Sequence, residues 1–305
     1  MFDFMPYRPP SEANSALIRV TRGCPWNRCM FCGMYRDTTF ELRPMEEIAA
    51  DVEQLENFFP GCETVFIGDS NSLLHKDLVE IVKLIKKTLP YTKRITSYAR
   101  AHTLHVKKVP QLKAVREAGL SRLHVGLESG DEKILKRISK GGTPEIMING
   151  GGKAKQVGFE LCFYVLCGIG GDTQWQTHAD GTAKVINAVN PDFVRLRTLS
   201  LVPNAPLFKT WKTGEFELIT PLNRLYETRR LIEQLDVSGC ELASDHVTNY
   251  LWAPEGIIYH GVDGTLPQDK EWMLEILDAA IEKVKTRDDI VDANTMVQQG
   301  YIQRL

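Results

Sequence analysis

Short runs of β-branched and other apolar residues recur along the chain at Ala16–Thr21, Thr64–Ile67, Arg94–Ser97, Arg122–Gly126, Leu161–Leu166 and Asp192–Leu196. They lie about 28 to 46 residues apart, a spacing that suits successive strand–helix units. Between them, apolar residues repeat at helical intervals. Met45, Ile48, Ala49, Val52 and Leu55 follow i, i+3, i+4, i+7 behind Pro44, a residue suited to a first helical turn. Leu78, Ile81, Val82 and Ile85 repeat the pattern, and Met273, Ile276, Leu277, Ala280, Ile281 and Val284 predict another amphipathic helix near the end. Gly119 and Gly158 stand where helices should stop.

Six such units predict an α/β fold with a parallel sheet curved as a partial (βα)6 TIM-like barrel, helices outside. They occupy about 220 residues, whereas a closed eight-unit barrel takes about 250. A flat doubly wound sheet fits the same strand count, and periodicity alone does not separate the two. The organisation expected is an N-terminal segment over 1–15, a core over 16–236 and a C-terminal extension over 237–305 that packs on the core.

Composition narrows the class. A chain of 305 residues, 43% hydrophobic and 25% charged, is ordinary for a globular protein. A formal net charge of −2 gives no global pull toward nucleic acid or anionic membrane. No apolar run approaches the roughly 18 residues of a spanning helix. Met1 to Pro10 lacks the layout of a signal peptide, so cytoplasmic residence is the expectation.

Seven cysteines, an odd number unevenly placed, do not look like a disulfide framework, and three of them fall together in Val20-Thr-Arg-Gly-Cys24-Pro-Trp-Asn-Arg-Cys29-Met-Phe-Cys32. This segment follows the first predicted strand and should form the first βα loop. Thiolates suit iron–sulfur clusters and zinc. Three close thiolates leave one iron of a four-iron cluster for a non-protein ligand. A structural zinc site would need a fourth Cys or His nearby, and none follows soon.

The motif resembles that of the radical S-adenosylmethionine (SAM) superfamily, Cys-x3-Cys-x-aromatic-Cys. Four residues separate Cys24 from Cys29, one more than usual, a departure that bears on the subfamily rather than on cluster ligation. The resemblance extends over most of the chain. Gly68-Asp69-Ser70 stands where the family has a Gly-Gly-Glu-like segment. Val125-Gly-Leu-Glu128-Ser-Gly130, continued by Ile134 to Gly141, is similar to the branch of oxygen-independent coproporphyrinogen oxidase and the tRNA methylthiotransferases. Val165-Leu-Cys-Gly168-Ile-Gly170-Gly-Asp-Thr173 looks like that branch's Gly-Leu-Pro-Gly-Glu-Thr.

The resemblance implies a [4Fe–4S] cluster on Cys24, Cys29 and Cys32, with SAM on the open iron, reductive cleavage to a 5′-deoxyadenosyl radical, and hydrogen abstraction from a substrate. It assigns Phe31 to the adenine, Gly68, Asp69 and Ser70 to the methionine end, Glu128 to SAM's polar groups, and Gly168, Ser97 and Arg100 to further contacts. Arg195 and Arg197 alternate with Val194 and Leu196 and so share one face of the sixth strand. In a barrel interior they would bind an anionic substrate or the SAM carboxylate; on a solvated edge they would be ordinary. Glu128 could instead cap a helix, and Asp69 and Ser70 could simply form a turn.

Other features are weaker. Cys162 and Cys167 read as small hydrophobes, Cys62 and Cys240 are isolated, and His102 and His105 read as helix-start residues. Gly150-Gly-Gly152 before Lys153 would cradle phosphate at a helix start in a fuller motif and, without one, reads as a loop. Ser244-Asp245-His246, with Asn249 and Tyr250, either touches substrate or forms a satisfied turn. The extra N-terminal domain of the methylthiotransferases, a second cysteine triad and a cobalamin domain find no place in this sequence. It looks most like small stand-alone members from anaerobic microbes. An electron donor such as a flavodoxin or ferredoxin is implied. Rival readings are an iron–sulfur electron carrier without SAM cleavage and a zinc-stabilised nucleic-acid module. Within the enzyme reading, a basic groove of Arg94, Arg122 and Lys140 would favour tRNA modification, and a closed apolar mouth a small molecule.

Overall fold

The computed structural model describes residues 7–299, so the ends of the N-terminal segment and of the C-terminal extension lie outside the described residues. Each apolar run read from the sequence forms a strand: β1 (Ala16–Arg19), β2 (Thr64–Gly68), β3 (Arg94–Ala99), β4 (Leu120–Glu128), β5 (Glu160–Cys167) and β6 (Phe193–Thr198). Two strands of the extension, β7 (Cys240–Ala243) and β8 (Asp263–Leu266), join the same sheet, so it has eight strands rather than six, ordered as in the chain. β1–β2, β2–β3, β3–β4 and β6–β7 pair in parallel, and β8 runs antiparallel to β7. Parallel neighbours need crossover connections, which the intervening helices supply.

Those helices are α1 (Met45–Phe58), α2 (Leu78–Thr88), α3 (Ala101–Val106), α4 (Val109–Ala118), α5 (Glu132–Arg137), α6 (Pro144–Gln156), α7 (Trp175–Val189), α8 (Pro206–Lys212) and α9 (Pro221–Glu233), with α10 (Lys270–Val284) in the extension. Gly150-Gly151-Gly152, expected as a loop, lies inside α6. For Gly150 the reason is packing. A Cβ on Gly150 would come within 2.4 Å of the Ala101 carbonyl oxygen, so close approach outweighs the poor helix propensity of glycine.

The chain divides into two compact units. The first holds the chain up to Asn27, Met34–Gly126 and Asn149–Cys162. Its core is Ile18, Val65, Phe66, Ile67 and Ile95 from the strands, covered by Ile48 and Val52 of α1 and Ile81, Val82 and Ile85 of α2. Each such side chain contributes about 1.5–3 kcal/mol by leaving water. The second unit holds Arg28–Gly33, Leu127–Ile148 and the chain from Phe163 onward. There Val194, Leu196 and Thr198 of β6 are buried while Arg195 and Arg197 are half-buried, as the two-residue period of a strand requires. Helix α9 packs against both α7 and α10. Among the described residues no helix is long and apolar enough to cross a membrane.

Candidate active site

In the first unit the chain enters the cysteine loop at Gly23, and the residues after β2 hold that entry in place. Asp69 is fully buried against Arg19, whose Nε and Nη2 each lie 3.0 Å from Oδ2. The Gly23 N–H donates to the same oxygen at 3.0 Å, and the Ser70 hydroxyl donates to the Gly23 carbonyl at 2.9 Å. A buried ion pair persists only when further hydrogen bonds help to offset desolvation, and these bonds do that. Asp69 and Ser70 therefore clamp the turn that delivers Cys24. The half-buried Cys24 Sγ accepts from the Asn27 N–H at 3.4 Å. After β3, the Arg100 guanidinium lies 5.0 Å from the centroid of the Trp26 ring, a cation–π contact from strand end to cysteine loop. Ser97 is fully buried, hydrogen-bonded to Ser72 and donating to the Tyr98 carbonyl at 2.9 Å.

In the second unit, Cys29 and Cys32 close a turn through the Cys32 N–H and the Cys29 carbonyl, 3.3 Å apart. Met30 donates its N–H to the Ile138 carbonyl at 2.9 Å and accepts from the Leu207 N–H at 2.8 Å. Met30 and Phe31 pack on Ile134, Ile138, Ile169 and Leu199. Glu128 ends β4 at φ 63°, a conformation uncommon for a residue with a side chain. Its carboxylate accepts from Lys140 at 2.7 Å, and the Lys140 ammonium lies 5.9 Å from the Phe31 ring centroid. Glu128 and Phe31 are thus brought together around one lysine. Glu128 does not cap α5. Asp131 does, accepting from the Ile134 N–H at 2.8 Å. Gly130 serves packing, since a Cβ there would meet the Gly181 carbonyl oxygen of α7 at 2.1 Å.

Gly168 follows β5 at φ 80° and donates its N–H to Glu227 Oε2 at 2.7 Å. Glu227 is a residue the sequence reading passed over. It is fully buried on α9, and its Oε1 lies 3.8 Å from His178 Nε2, too far for a hydrogen bond. His178 Nδ1 pairs with the Ser129 hydroxyl at 2.9 Å, so the chain of polar groups ends beside Glu128. Burial raises the Glu227 carboxyl to about 8, against the Gly168 hydrogen bond and the Arg224 charge. Burial lowers His178 to about 3, with the Arg137 charge adding to it. Both groups are therefore neutral near pH 7. Cys162 and Cys167 are buried, and burial, with Glu227 nearby, pushes the Cys167 thiol well up.

The polar group of the extension divides in two. Asn249 donates to the carbonyls of Leu196 at 2.9 Å and Ser244 at 2.8 Å, and accepts from Thr198 at 2.9 Å, so Ser244 and Asn249 form a satisfied turn. Asp245 instead faces Arg195 and Arg197, whose Nη1 atoms lie 4.0 and 3.9 Å from its Oδ1. The three cations considered for an RNA groove are each matched by an acid: Arg94 by Glu12, Arg122 by Glu160 and Lys140 by Glu128. Arg94 also opens β3 and so stands at the wrong end of its strand for a site built at strand C-termini.

Cys24, Cys29 and Cys32 form no disulfide and are all partly accessible. No three His, Cys, Asp or Glu side chains among the described residues are grouped as a metal site. The donor set nonetheless has the chemistry of a cluster ligand set, three soft thiols in nine residues. Asp245, His178 and Glu227 offer only hard or imidazole donors.

Comparisons with known proteins agree. A model of the radical SAM superfamily matches residues 18–180. The chain is 25% identical over 195 residues to an uncharacterized methyltransferase of Pyrococcus horikoshii, covering 63% of this chain and 41% of that protein. It is 27% identical over 215 residues to GTP 3′,8-cyclase of Listeria monocytogenes, covering 69% of this chain and 59% of the cyclase. The chain thus spans about half the length of these curated relatives. Among solved structures, coproporphyrinogen III oxidase from Escherichia coli, a radical SAM enzyme, aligns with a TM-score of 0.52 at 15% identity, over 72% of this chain and 52% of the oxidase. That likeness shows the fold, the partial (βα)6 barrel class expected from the sequence and its cysteine motif. With more than half of its length matched, the chain belongs to the radical SAM superfamily, enzymes whose cofactors are a [4Fe–4S] cluster and SAM.

Proposed function

We propose that this chain carries its cluster on Cys24, Cys29 and Cys32 and uses SAM to abstract hydrogen from a small-molecule substrate. Held by these three thiolates, a reduced cluster would supply the one-electron chemistry for cleaving SAM. The protein's part is to hold, orient and exclude water. Asp69 and Ser70 fix the loop entry at Gly23 from behind. Trp26 and Arg100 brace the next turn. Phe31 offers a ring for the adenine, and the Glu128–Lys140 pair offers both charges to SAM's polar groups. Gly68 and Gly168 shape the backbone of the strand ends, and the Ser97 hydroxyl is buried against Ser72. An electron donor of the flavodoxin or ferredoxin kind completes the reaction.

The observation that supports this reading best is the anchoring of the cysteine loop. Its first stretch is tied to Asp69, Ser70 and Arg100, which follow the C-termini of β2 and β3, where barrel folds place their chemistry, and its second is held by Ile138 at the end of α5 and by Leu207 of α8. The small-molecule preference is supported by the carboxylate partners of Arg94, Arg122 and Lys140, the three cations considered for an RNA groove. The test is anaerobic purification, reconstitution with iron and sulfide, reduction with dithionite and detection of 5′-deoxyadenosine by mass spectrometry. Wild type is expected to form it and Cys29→Ala to form none. A protein that binds only zinc, or that holds a four-iron cluster and never cleaves SAM with any candidate substrate, would overturn the reading.

A further inference from the structure

β6 lies inside the sheet, with β5 on one side and β7 on the other, so its residues are not those of a solvated edge. Its buried face, Val194, Leu196 and Thr198, packs under α9 and the Asn249 turn. Arg195 and Arg197 project from the opposite face, with side chains only 19% and 16% exposed. Two largely desolvated guanidinium groups side by side repel each other and need a counter-charge.

The acid that faces both is Asp245. Its contacts of 4.0 and 3.9 Å to the two Nη1 atoms are longer than hydrogen bonds, and its side chain is 59% exposed. Exposed ion pairs at such range are worth little. Asp245 thus holds both arginines only loosely. The two contacts converge on a single oxygen, Oδ1, so the guanidinium groups converge on one point. Arg197 is steadied from behind by the Leu196 carbonyl, which accepts from Nη1 at 2.9 Å, and by the Tyr164 ring, whose centroid is 5.8 Å from Cζ. His246, the next residue, caps its own turn through the Thr248 N–H and hydroxyl. Burial and the Arg197 charge lower its pKa, so it adds no further positive charge and no competing acid.

We propose that Arg195 and Arg197 form a subsite for an anionic group of the substrate, a carboxylate or a phosphate, with Asp245 as the counter-ion that this group displaces. The proposal rests on the radical SAM reading above for the word substrate, and it gives that substrate its charge class. Planar or tetrahedral oxyanions match the fork of a guanidinium, and a hydrogen-bonded anion gains where a carboxylate at 4 Å does not. The SAM carboxylate has the same chemistry, and the experiment separates the two sources.

The reconstituted holoprotein would be titrated calorimetrically with pyrophosphate and with malonate, and SAM binding measured on the same samples by equilibrium dialysis. Wild type should bind at least one of the two anions. Arg195→Gln and Arg197→Gln should each weaken that binding tenfold or more, with SAM affinity changed less than threefold. Asp245→Asn should tighten the anion severalfold, a gain that misfolding does not mimic. Wild type that binds neither anion, arginine variants that bind as wild type does, or an Asp245→Asn protein with unchanged affinity would overturn the proposal. Loss of SAM affinity in the arginine variants would overturn it too, by giving the pair to SAM. Anion binding that follows the arginines in a protein that never binds SAM would leave the subsite standing and remove the radical SAM reading instead.

Discussion

Glu12, in the first unit, and Glu227, in the second, both have almost no accessible surface, and each faces a histidine. Glu12 accepts from the Ser15 hydroxyl at 2.6 Å, lies 3.2 Å from His124 Nε2, and pairs with Arg94 at 3.1 Å. Burial alone would raise its pKa, but His124 and Ser15, aided by Arg94, outweigh burial and bring it to about 2. Glu227 has one donor, the Gly168 N–H, because His178 stands 3.8 Å away and turns its other nitrogen to Ser129. Arg224, the nearest cation to act on it, spends its own donors on Thr198, Thr248, Asn249 and Tyr250. Burial therefore prevails, and Glu227 is neutral near pH 7. The same pair of side chain types is a charged clamp in one place and an uncharged one in the other. Donor count, not depth, decides which.

The strongest way to break that comparison is Glu12→Gln. The amide keeps the shape but leaves Arg94 and His124 without their carboxylate. Removing one partner of a buried pair costs about 3–5 kcal/mol, and Arg94's partial exposure places this case near the lower end. Urea unfolding of wild type and variant at pH 7 should show that gap. A folded pKa depressed below the ordinary 4.5 gives stability that is present above 4.5 and lost as pH falls toward about 2. The gap should therefore close on acidification. A loss under 1 kcal/mol at pH 7 would mean that Glu12 is not held as an anion.

Neither glutamate's role was legible in the sequence, and the reason is range. Glu12 meets His124 across 112 residues, and His178 meets Ser129 across 49. One signal was available. Glu227 falls in the apolar register of α9, with Leu231 one turn on, and a carboxylate in such a register must find buried partners. What local pattern controls was legible: the strands of the apolar runs, the helices of strong period and the cysteine loop, whose ligands are contiguous. The clamp behind that loop was half legible. Asp69 and Ser70 were singled out, but Arg19, 50 residues from Asp69, was hidden in an apolar strand. The two strands that complete the sheet escaped because Cys240–Ala243 and Asp263–Leu266 are four residues each and carry no run of β-branched side chains. Of the glycines inside α6, Gly150 misled because its reason lies in Ala101, on another helix.

Glu227→Gln sharpens the comparison from the other side. In wild type the folded pKa is raised from 4.5 to about 8, so stability falls as pH rises through that interval. His178, lowered from 6.5 to about 3, loses stability in the opposite direction, as pH falls below 6.5. The two slopes cancel between 4.5 and 6.5, and from 6.5 to 8 only Glu227 acts. Wild type should lose about 2 kcal/mol across that last interval, at about 1.4 kcal/mol per pH unit. The glutamine keeps an acceptor for the Gly168 N–H and cannot ionise, so its stability should stay flat there. Thermal midpoints recorded from pH 5 to 8.5 decide the matter, and parallel curves would show that Glu227 is ionised throughout.

The smallest effect is a coupling. Ser15→Ala removes a hydrogen bond to a charged acceptor and should cost about 1.5–3 kcal/mol, whereas Ser129→Ala removes one to a neutral imidazole and should cost about 1 kcal/mol. Combined with the glutamate substitutions, the two serines should behave differently. Ser15 touches Glu12 directly, so Ser15→Ala with Glu12→Gln should depart from additivity by about 1 kcal/mol or more. Ser129 reaches Glu227 only through His178, across a 3.8 Å gap that holds no hydrogen bond. That pair should add to within about 0.5 kcal/mol, the range found for sites without a shared partner. Double-mutant cycles by urea unfolding at pH 6 read both numbers. A coupling in the second cycle as large as in the first would mean that His178 and Glu227 share a proton after all, and the two clamps would then be the same device.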